Sequence, residues 1–332
     1  MQPRHMVSRR DGLKLAASAA ALGGSPAARA ADASEAAPTV RTPVDFAIPP
    51  GACDCHVHVF PDPAKFPFWS GRGYTPPVAT ADDLLALQKA LHMDHVVIVT
   101  PSVYGTDNAA TLDGMRQLGP QRARGVAVID SKTGASDLDA MDRAGVRGIR
   151  VNLEQAGVVD PEVSAKRLEG AVQQIGGRPW HLQIYTRLPV IEALKAQLAG
   201  VPVPLVFDHF AGADAALGPQ QAGFGTVLDM VRSGKAYVKI SGAYRASKDA
   251  PNYADVAPLA RALIAANPDR LVWGSDWPHP DSTPKPGRAA TDLAPAQPID
   301  DGRVLNLLAE WAPDAAVRKR ILVDNPKQLY GF

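Results

Sequence analysis

Cysteine is nearly absent, with two residues in a chain of 332. That excludes a disulfide framework, which a domain of this size does not need. A Cys-x-Cys metal half-site would require two further soft ligands, and no other cysteine exists to supply them. No uninterrupted apolar run reaches the ~18 residues that would suggest a membrane span. Neither sign of charge dominates, since 35 Lys and Arg stand against 34 Asp and Glu. Nothing in that balance calls for nucleic acid or an anionic membrane as partner. There is no internal repeat, and nothing bears on oligomeric state. What remains is ordinary globular composition, 46% hydrophobic and 21% charged, with ample apolar material for one large core.

The first 30 residues differ from the rest. Ser8-Arg9-Arg10-Asp11-Gly12-Leu13-Lys14 reads as a twin-arginine export signal, followed by an Ala-rich stretch and a small-x-small cleavage site at Ala28-Arg29-Ala30. The expectation is a periplasmic protein. Residues 31–50 are rich in Ala and Pro and read as a tail. Residues 51–332 then form one domain.

Within that domain, short β-branched runs alternate with helical patterns. Strands are expected at 52–60, 95–102, 125–130, 146–153, 181–186, 203–210, 236–242 and 271–277. Between the first two, Thr80 with Asp83 reads as a cap before the apolar stripe Leu84, Leu87, Leu91. Ser136 is expected to cap the helix that ends at Gly145, and Asn267-Pro268 to stop the one over 254–266. Eight strands each followed by a helix predict a parallel sheet with right-handed crossovers. The closed (β/α)8 TIM barrel at ~250 residues fits the domain length. An open doubly wound sheet is the runner-up, but no Gly-x-Gly-x-x-Gly follows the first strand. Cys53 and Cys55 are too close on one strand to bridge well, and read as small packing residues outside the lumen.

In such a barrel, reacting groups sit where strands end. Asp54, His56 and His58 alternate on the first strand and are predicted to point the same way. Asp208-His209 ends the sixth strand and Asp276 the eighth. Arg150 lies on the fourth, Tyr185 near the end of the fifth and Arg245 just past the seventh. His209 alone could be a hydrogen-bonded structural residue. His56 and His58 together are harder to explain so, because two imidazoles on one lumen face are costly to bury idly. His92 and His95 sit at the wrong end of the barrel and read as surface or packing residues. Asp276, between Trp273 and Trp277 in a Trp-Gly-Ser-Asp-Trp-Pro-His-Pro run, reads as a general base. His279 is open to orienting Asp276, meeting the substrate, or being a plain loop residue. The Pro-rich stretch 284–298 follows the eighth strand near the mouth.

The chain resembles the amidohydrolase-related family that includes pyrone-dicarboxylate lactonases, sugar-acid lactonases and lactone isomerases. The resemblance runs from about Ala52 to Tyr330. It is carried by Cys53-Asp54-Cys55-His56-Val57-His58-Val59-Phe60, Phe66-Pro67-Phe68, Gly105-Thr106-Asp107-Asn108-Ala109-Ala110, Arg147-Gly148-Ile149-Arg150, Asp208-His209 and the run from Trp273 to Pro280. It implies a lactonase acting on a small anionic lactone. Asp276 would activate water, and His56, His58 and His209 would polarise the carbonyl and bind the oxyanion. Tyr74, Ser102, Arg150, Tyr185 and Arg245, with His279, would hold the substrate, the arginines gripping its carboxylates. One position departs. The pyrone-dicarboxylate lactonases carry another arginine six residues beyond the strand-four arginine, where Ala156 stands here, in a loop that also holds the acid Glu154. A monocarboxylate or hydroxyl-rich sugar-acid lactone is therefore expected to fit better than a doubly charged pyrone.

Most amidohydrolases bind divalent metals, and His56, His58 and Asp276 are three ligands of such a site. A strand-five histidine and a strand-four bridging residue are missing, because those strands end in Tyr185 and Arg150-Val151-Asn152. A guanidinium nearby also opposes a second cation. The expectation is no metal, with a single Zn or Mn ion on His56, His58 and Asp276 as the alternative. Rival reactions are lactone isomerisation and metal-dependent decarboxylation of an aromatic acid on the same barrel. A non-enzymatic sugar-acid binding protein would keep the arginines but has no need of Asp276.

Overall fold

Runs such as Val96-Val97-Ile98-Val99 suit a strand buried on both faces, with one side chain towards a lumen and the next towards a covering helix. The computed structural model describes residues 40–332, so the proposed export signal and the first part of the tail lie outside the described residues. All eight expected strands are present: β1 Cys53–Val57, β2 His95–Val99, β3 Ala123–Ala127, β4 Val146–Asn152, β5 His181–Tyr185, β6 Leu205–Phe207, β7 Ala236–Ser241 and β8 Leu271–Gly274. They are parallel and lie in sequence order. The seam closes through His58 N to Trp277 O at 2.9 Å and Asp276 N to His56 O at 2.8 Å. The chain is a single-domain (β/α)8 barrel. Gly274 lets that seam close: a side-chain Cβ there would fall 2.8 Å from the His56 Cβ and backbone nitrogen.

Helices α1 Ala81–Ala90, α2 Ala109–Leu118, α3 Ala135–Ala144 and α4 Pro161–Ile175 cover the first half. The second half carries α5 Leu188–Ala193, α6 Lys195–Gly200, α7 Phe224–Arg232, α8 Ala243–Ala246, α9 Ala257–Ala266 and α10 Asp301–Trp311. Thr80 and Asp83 form a reciprocal cap at α1, worth roughly 0.5–2 kcal/mol. Gly145 ends α3 in the left-handed region and Asn267 ends α9. Ser136 does not cap α3. It lies inside the first turn, and Gly134 occupies the cap position with its N–H donated to Asp137. Residues 40–50 have no regular structure. Asp300 accepts from Arg41 N and from Thr42, and Asn306 on α10 binds Asp45 N.

β1 corrects two expectations at once. Its pairing with β2 runs Asp54↔Val96 and then Val57↔Ile98, so three residues face two. An extra residue in a strand reverses which face later side chains take. Before this bulge, Cys53 and Cys55 therefore point into the lumen, packed with Val97, Val99, Val126, Val206 and Val272 above the C-terminal Tyr330. Asp54 points the other way, to Gln88 on α1, and so does not share a face with the histidines. It also accepts from Ser275 N at 2.9 Å and clamps the seam from behind.

Candidate active site

Strands β6 and β8 stop early, and the residues beyond them carry the site in left-handed backbone. His209 has φ 47° and Asp276 φ 67°. Non-glycine residues held this way cost of order 1–3 kcal/mol each and concentrate at functional sites. Gly242 follows β7 with φ 60°, and a Cβ there would press to 3.0 Å from His209 Nδ1.

Four side chains from three parts of the chain converge. Asp276 Oδ1 lies 3.8 Å from His56 Nε2, 3.7 Å from His58 Nε2 and 3.8 Å from His209 Nε2. All four residues are buried, and among the described residues His56 Nε2 and Asp276 Oδ1 have no hydrogen-bond partner. The outer ring atoms fix the orientation. His58 Nδ1 donates to Val99 O at 2.7 Å, His209 Nδ1 meets Ser241 Oγ at 3.0 Å, and His56 Nδ1 lies 3.3 Å from Asp208 Oδ1. A carbonyl only accepts, so His58 carries its proton on Nδ1 and presents a lone pair at Nε2. Burial pushes His58 and His209 down to about 4, with Asp276 pulling the other way. His56 is held well below the usual imidazole range by burial and by Lys239.

Asp276 Oδ2 accepts from Tyr244 Oη and Arg245 Nε, each at 2.5 Å. Although burial opposes it, the carboxyl is held well below the usual range by the Arg245 guanidinium. Asp208 plays the matching part deeper in the lumen. It accepts from Arg150 Nε at 2.9 Å and faces Lys239 Nζ at 3.8 Å, with every partner buried. Both arginines thus commit Nε to a carboxylate, while among the described residues no hydrogen bond uses their terminal nitrogens.

The expected substrate residues surround this centre. Arg150 stacks over Tyr185 at 5.1 Å, and Tyr185 meets the His209 ring edge-on. Tyr74 lies beside Ser102 and is pushed up to about 12 by burial. His279 stands apart. It is buried behind Tyr244, with Nε2 2.9 Å from Asp301 and Nδ1 3.3 Å from the Tyr244 hydroxyl, so it orients Tyr244. His92 is exposed and His95 stacks on Phe332, both at the far end. The stretch 284–298 lies against the segment after β1, through the pairing Thr75↔Leu293 and the bond from Ala294 N to Thr75 O.

Sequence reasoning missed Lys239, Tyr244 and the role of Asp208. Lys239 did leave a signal: a lysine between Val238 and Ile240 in a central strand must be buried, and a buried lysine needs a partner. Tyr244 had none beyond adjacency to Arg245. The acid in the β4 loop also reads differently, because Glu154 is paired by Arg187 Nε at 2.8 and 2.7 Å.

Two cavities border the expected substrate residues. One, of about 620 Å³, starts at Arg150 and Ser102 and runs out to α4. The other, of about 550 Å³, contains His209, Tyr185 and Arg245 and ends at the Glu154–Arg187 pair.

A family model described as amidohydrolase matches residues 53–332. A 4-sulfomuconolactone hydrolase from Rhizobium radiobacter is 36% identical over 292 residues, 87% of this chain and 93% of the relative. A 2-pyrone-4,6-dicarboxylate hydrolase from Comamonas testosteroni is 33% identical, over 86% of this chain and 92% of its own length. Among solved structures, a putative 2-pyrone-4,6-dicarboxylic acid hydrolase from Pseudomonas putida superposes with a TM-score of 0.70 at 30% identity. That match covers 86% of this chain and 98% of the other.

Proposed function

The chain belongs to the amidohydrolase family, and from that premise we propose that it hydrolyses the ring ester of a carboxylated lactone. The observation that carries this is the convergence of three imidazole Nε2 atoms on Asp276 Oδ1, with His58 Nε2 and Asp276 Oδ1 both acceptors. A water molecule set among them donates both protons to acceptors and keeps its lone pairs for attack. Asp276 Oδ1 takes the proton as the oxygen–carbon bond forms, while Tyr244 and Arg245 hold Oδ2 still; the tetrahedral intermediate then collapses, the ring carbon–oxygen bond breaks, and Asp276 gives that proton to the leaving ring oxygen. In this reading His58 takes a different part from the carbonyl-polarising role expected of it. A neutral His58 has only a lone pair at Nε2 and cannot polarise a carbonyl. In this reading the developing oxyanion is met by the terminal guanidinium nitrogens beside it.

The same donor set fits one divalent cation, since His56, His58 and Asp276 offer ligand atoms within 4.8 Å of one another. A Zn or Mn ion held there would act as a Lewis acid and acidify water. The reading itself rests on this convergence and does not require the ion. Twin-arginine export to the periplasm is part of the proposal, supported by Arg9-Arg10 and Ala28-Arg29-Ala30; cell fractionation of the tagged full chain tests it.

The activity test is a panel of carboxylated lactones with a pH indicator. Acid release at the rate of ring opening is expected, and Asp276→Asn should lower kcat by roughly 10²–10⁴-fold with KM within a few-fold. A lactone product with no acid released would make the protein an isomerase, and carbon dioxide release would make it a decarboxylase. Either outcome overturns the hydrolase reading.

A further inference from the structure

Asp276 Oδ2 has two donors, and they differ in what stands behind them. Tyr244 and Arg245 are neighbours on α8, and both line the cavity of about 550 Å³. Arg245 reaches Oδ2 through Nε, and among the described residues no hydrogen bond uses its terminal nitrogens. Tyr244 is backed from the protein side. Its hydroxyl lies 3.3 Å from His279 Nδ1, and His279 Nε2 lies 2.9 Å from Asp301 Oδ1. His279 and Asp301 are both 0% exposed, so solvent does not compete for these bonds. His279 is also held at φ 60°, a backbone that is strained for any residue but glycine and concentrates at functional sites. Asp301 opens α10, and that turn is pinned from outside. The preceding Asp300 accepts from Arg41 N at 3.0 Å, and a Cβ on Gly302 would collide with Thr42 O.

Proton counting gives the row a direction. A carboxylate only accepts, so the one proton of the Tyr244 hydroxyl goes to Oδ2, and its oxygen accepts from His279 Nδ1. Resting on the lactonase reading, we infer that Tyr244, His279 and Asp301 are the anchor of the base that does not depend on substrate, with His279 and Asp301 as positioning residues acting through the Tyr244 hydroxyl. Arg245 is the donor that substrate also claims. When a lactone carboxylate engages its terminal nitrogens, the guanidinium is drawn from Oδ2, and Tyr244 keeps the carboxylate from turning. Oδ1 then stays aimed at the water it must deprotonate.

The test is steady-state kinetics on muconolactone, or on the carboxylated lactone that wild type opens fastest. Tyr244→Phe should lower kcat roughly tenfold, about one hydrogen bond at the reacting group, with KM within twofold. Arg245→Gln should raise KM as well. His279→Leu should repeat the Tyr244→Phe loss and add less than twofold to it in the double variant, because it acts through that hydroxyl. His279→Asn should recover most of the loss, since asparagine tolerates the left-handed backbone and keeps an amide N–H near Nδ1. An unchanged kcat in Tyr244→Phe, additive losses in the double variant, or equal losses from Leu and Asn at 279 would overturn the anchor. Nitrogen-15 NMR of histidine-labelled protein keeps the anchor separate from the reaction: His279 Nδ1 should carry a proton whose signal moves in Tyr244→Phe. If wild type opens no lactone but that signal behaves so, the lactonase reading falls and the anchor stands. A bare Nδ1 refutes the anchor whatever the activity.

Discussion

Asp208 is the residue whose removal should be felt in two independent measurements. It sits fully buried between Arg150 Nε at 2.9 Å, His56 Nδ1 at 3.3 Å and Lys239 Nζ at 3.8 Å. Asp208→Asn keeps the volume but leaves two cations in the lumen with no counter-ion. Removing one partner of a buried pair typically costs about 3–5 kcal/mol, because the other charge stays desolvated and unpaired. No solvent discount applies, since Asp208 and Lys239 are both 0% exposed. Lys239→Met removes a cation and leaves Arg150 to balance Asp208. The double variant Asp208→Asn/Lys239→Met then holds one unpaired cation instead of two. Urea unfolding at neutral pH should therefore show the double variant less destabilised than the sum of the singles, by at least ~1 kcal/mol. The same substitution frees the His56 ring, whose Nε2 faces Asp276 Oδ1, so kcat should fall more than KM rises. Additive energies within ~0.5 kcal/mol, or a cost below ~1 kcal/mol for Asp208→Asn alone, would refute the ion-pair account.

Two further outcomes follow from the same lumen. His58 and His209 are pushed down to about 4, so both are neutral above that pH and charge only below it. The acid limb of kcat/KM should lie near pH 4, and a limb near the free-imidazole value of about 6.5 would contradict the burial argument. Cys53 and Cys55 are buried in the lumen as free thiols. A thiol reagent should label neither in the native protein and both after unfolding, and reductant should leave Tm unchanged; rapid native labelling would put them elsewhere.

The barrel was legible because its signals are local and repeated. Each strand is a β-branched run, each helix carries its own stripe, and Thr80 with Asp83 forms its reciprocal cap as the spacing predicts. The centre was legible because histidines and an aspartate at strand ends have few structural uses. What escaped depends on register. Strict alternation along β1 put Asp54 with His56 and the cysteines on the outside, and one extra residue inverts both. Nothing in Cys-Asp-Cys-His-Val-His marks that bulge. Beside it β8 approaches closely, and Gly274 clears room for His56. The pairing of Glu154 with Arg187, 33 residues later, is a tertiary contact that spacing cannot reveal.

The fixed charges of the lumen bear on what it is built to receive. With the imidazoles neutral, Asp208 and Asp276 face Arg150, Arg245 and Lys239, which leaves one positive charge unbalanced in a buried site. An uncompensated buried charge is expensive, and a site that tolerates one is poised to gain when an anion arrives. On the proposed function, a lactone carboxylate would supply that anion at the terminal nitrogens of the two arginines. Its arrival would also draw on the guanidinium that holds Asp276 Oδ2. The Arg245 charge would then be shared between substrate and Asp276, and the carboxylate proposed to take a proton would become more basic only once substrate is bound. Substrate charge and base strength are coupled through one side chain, so a neutral lactone of the same shape should lose kcat as well as affinity.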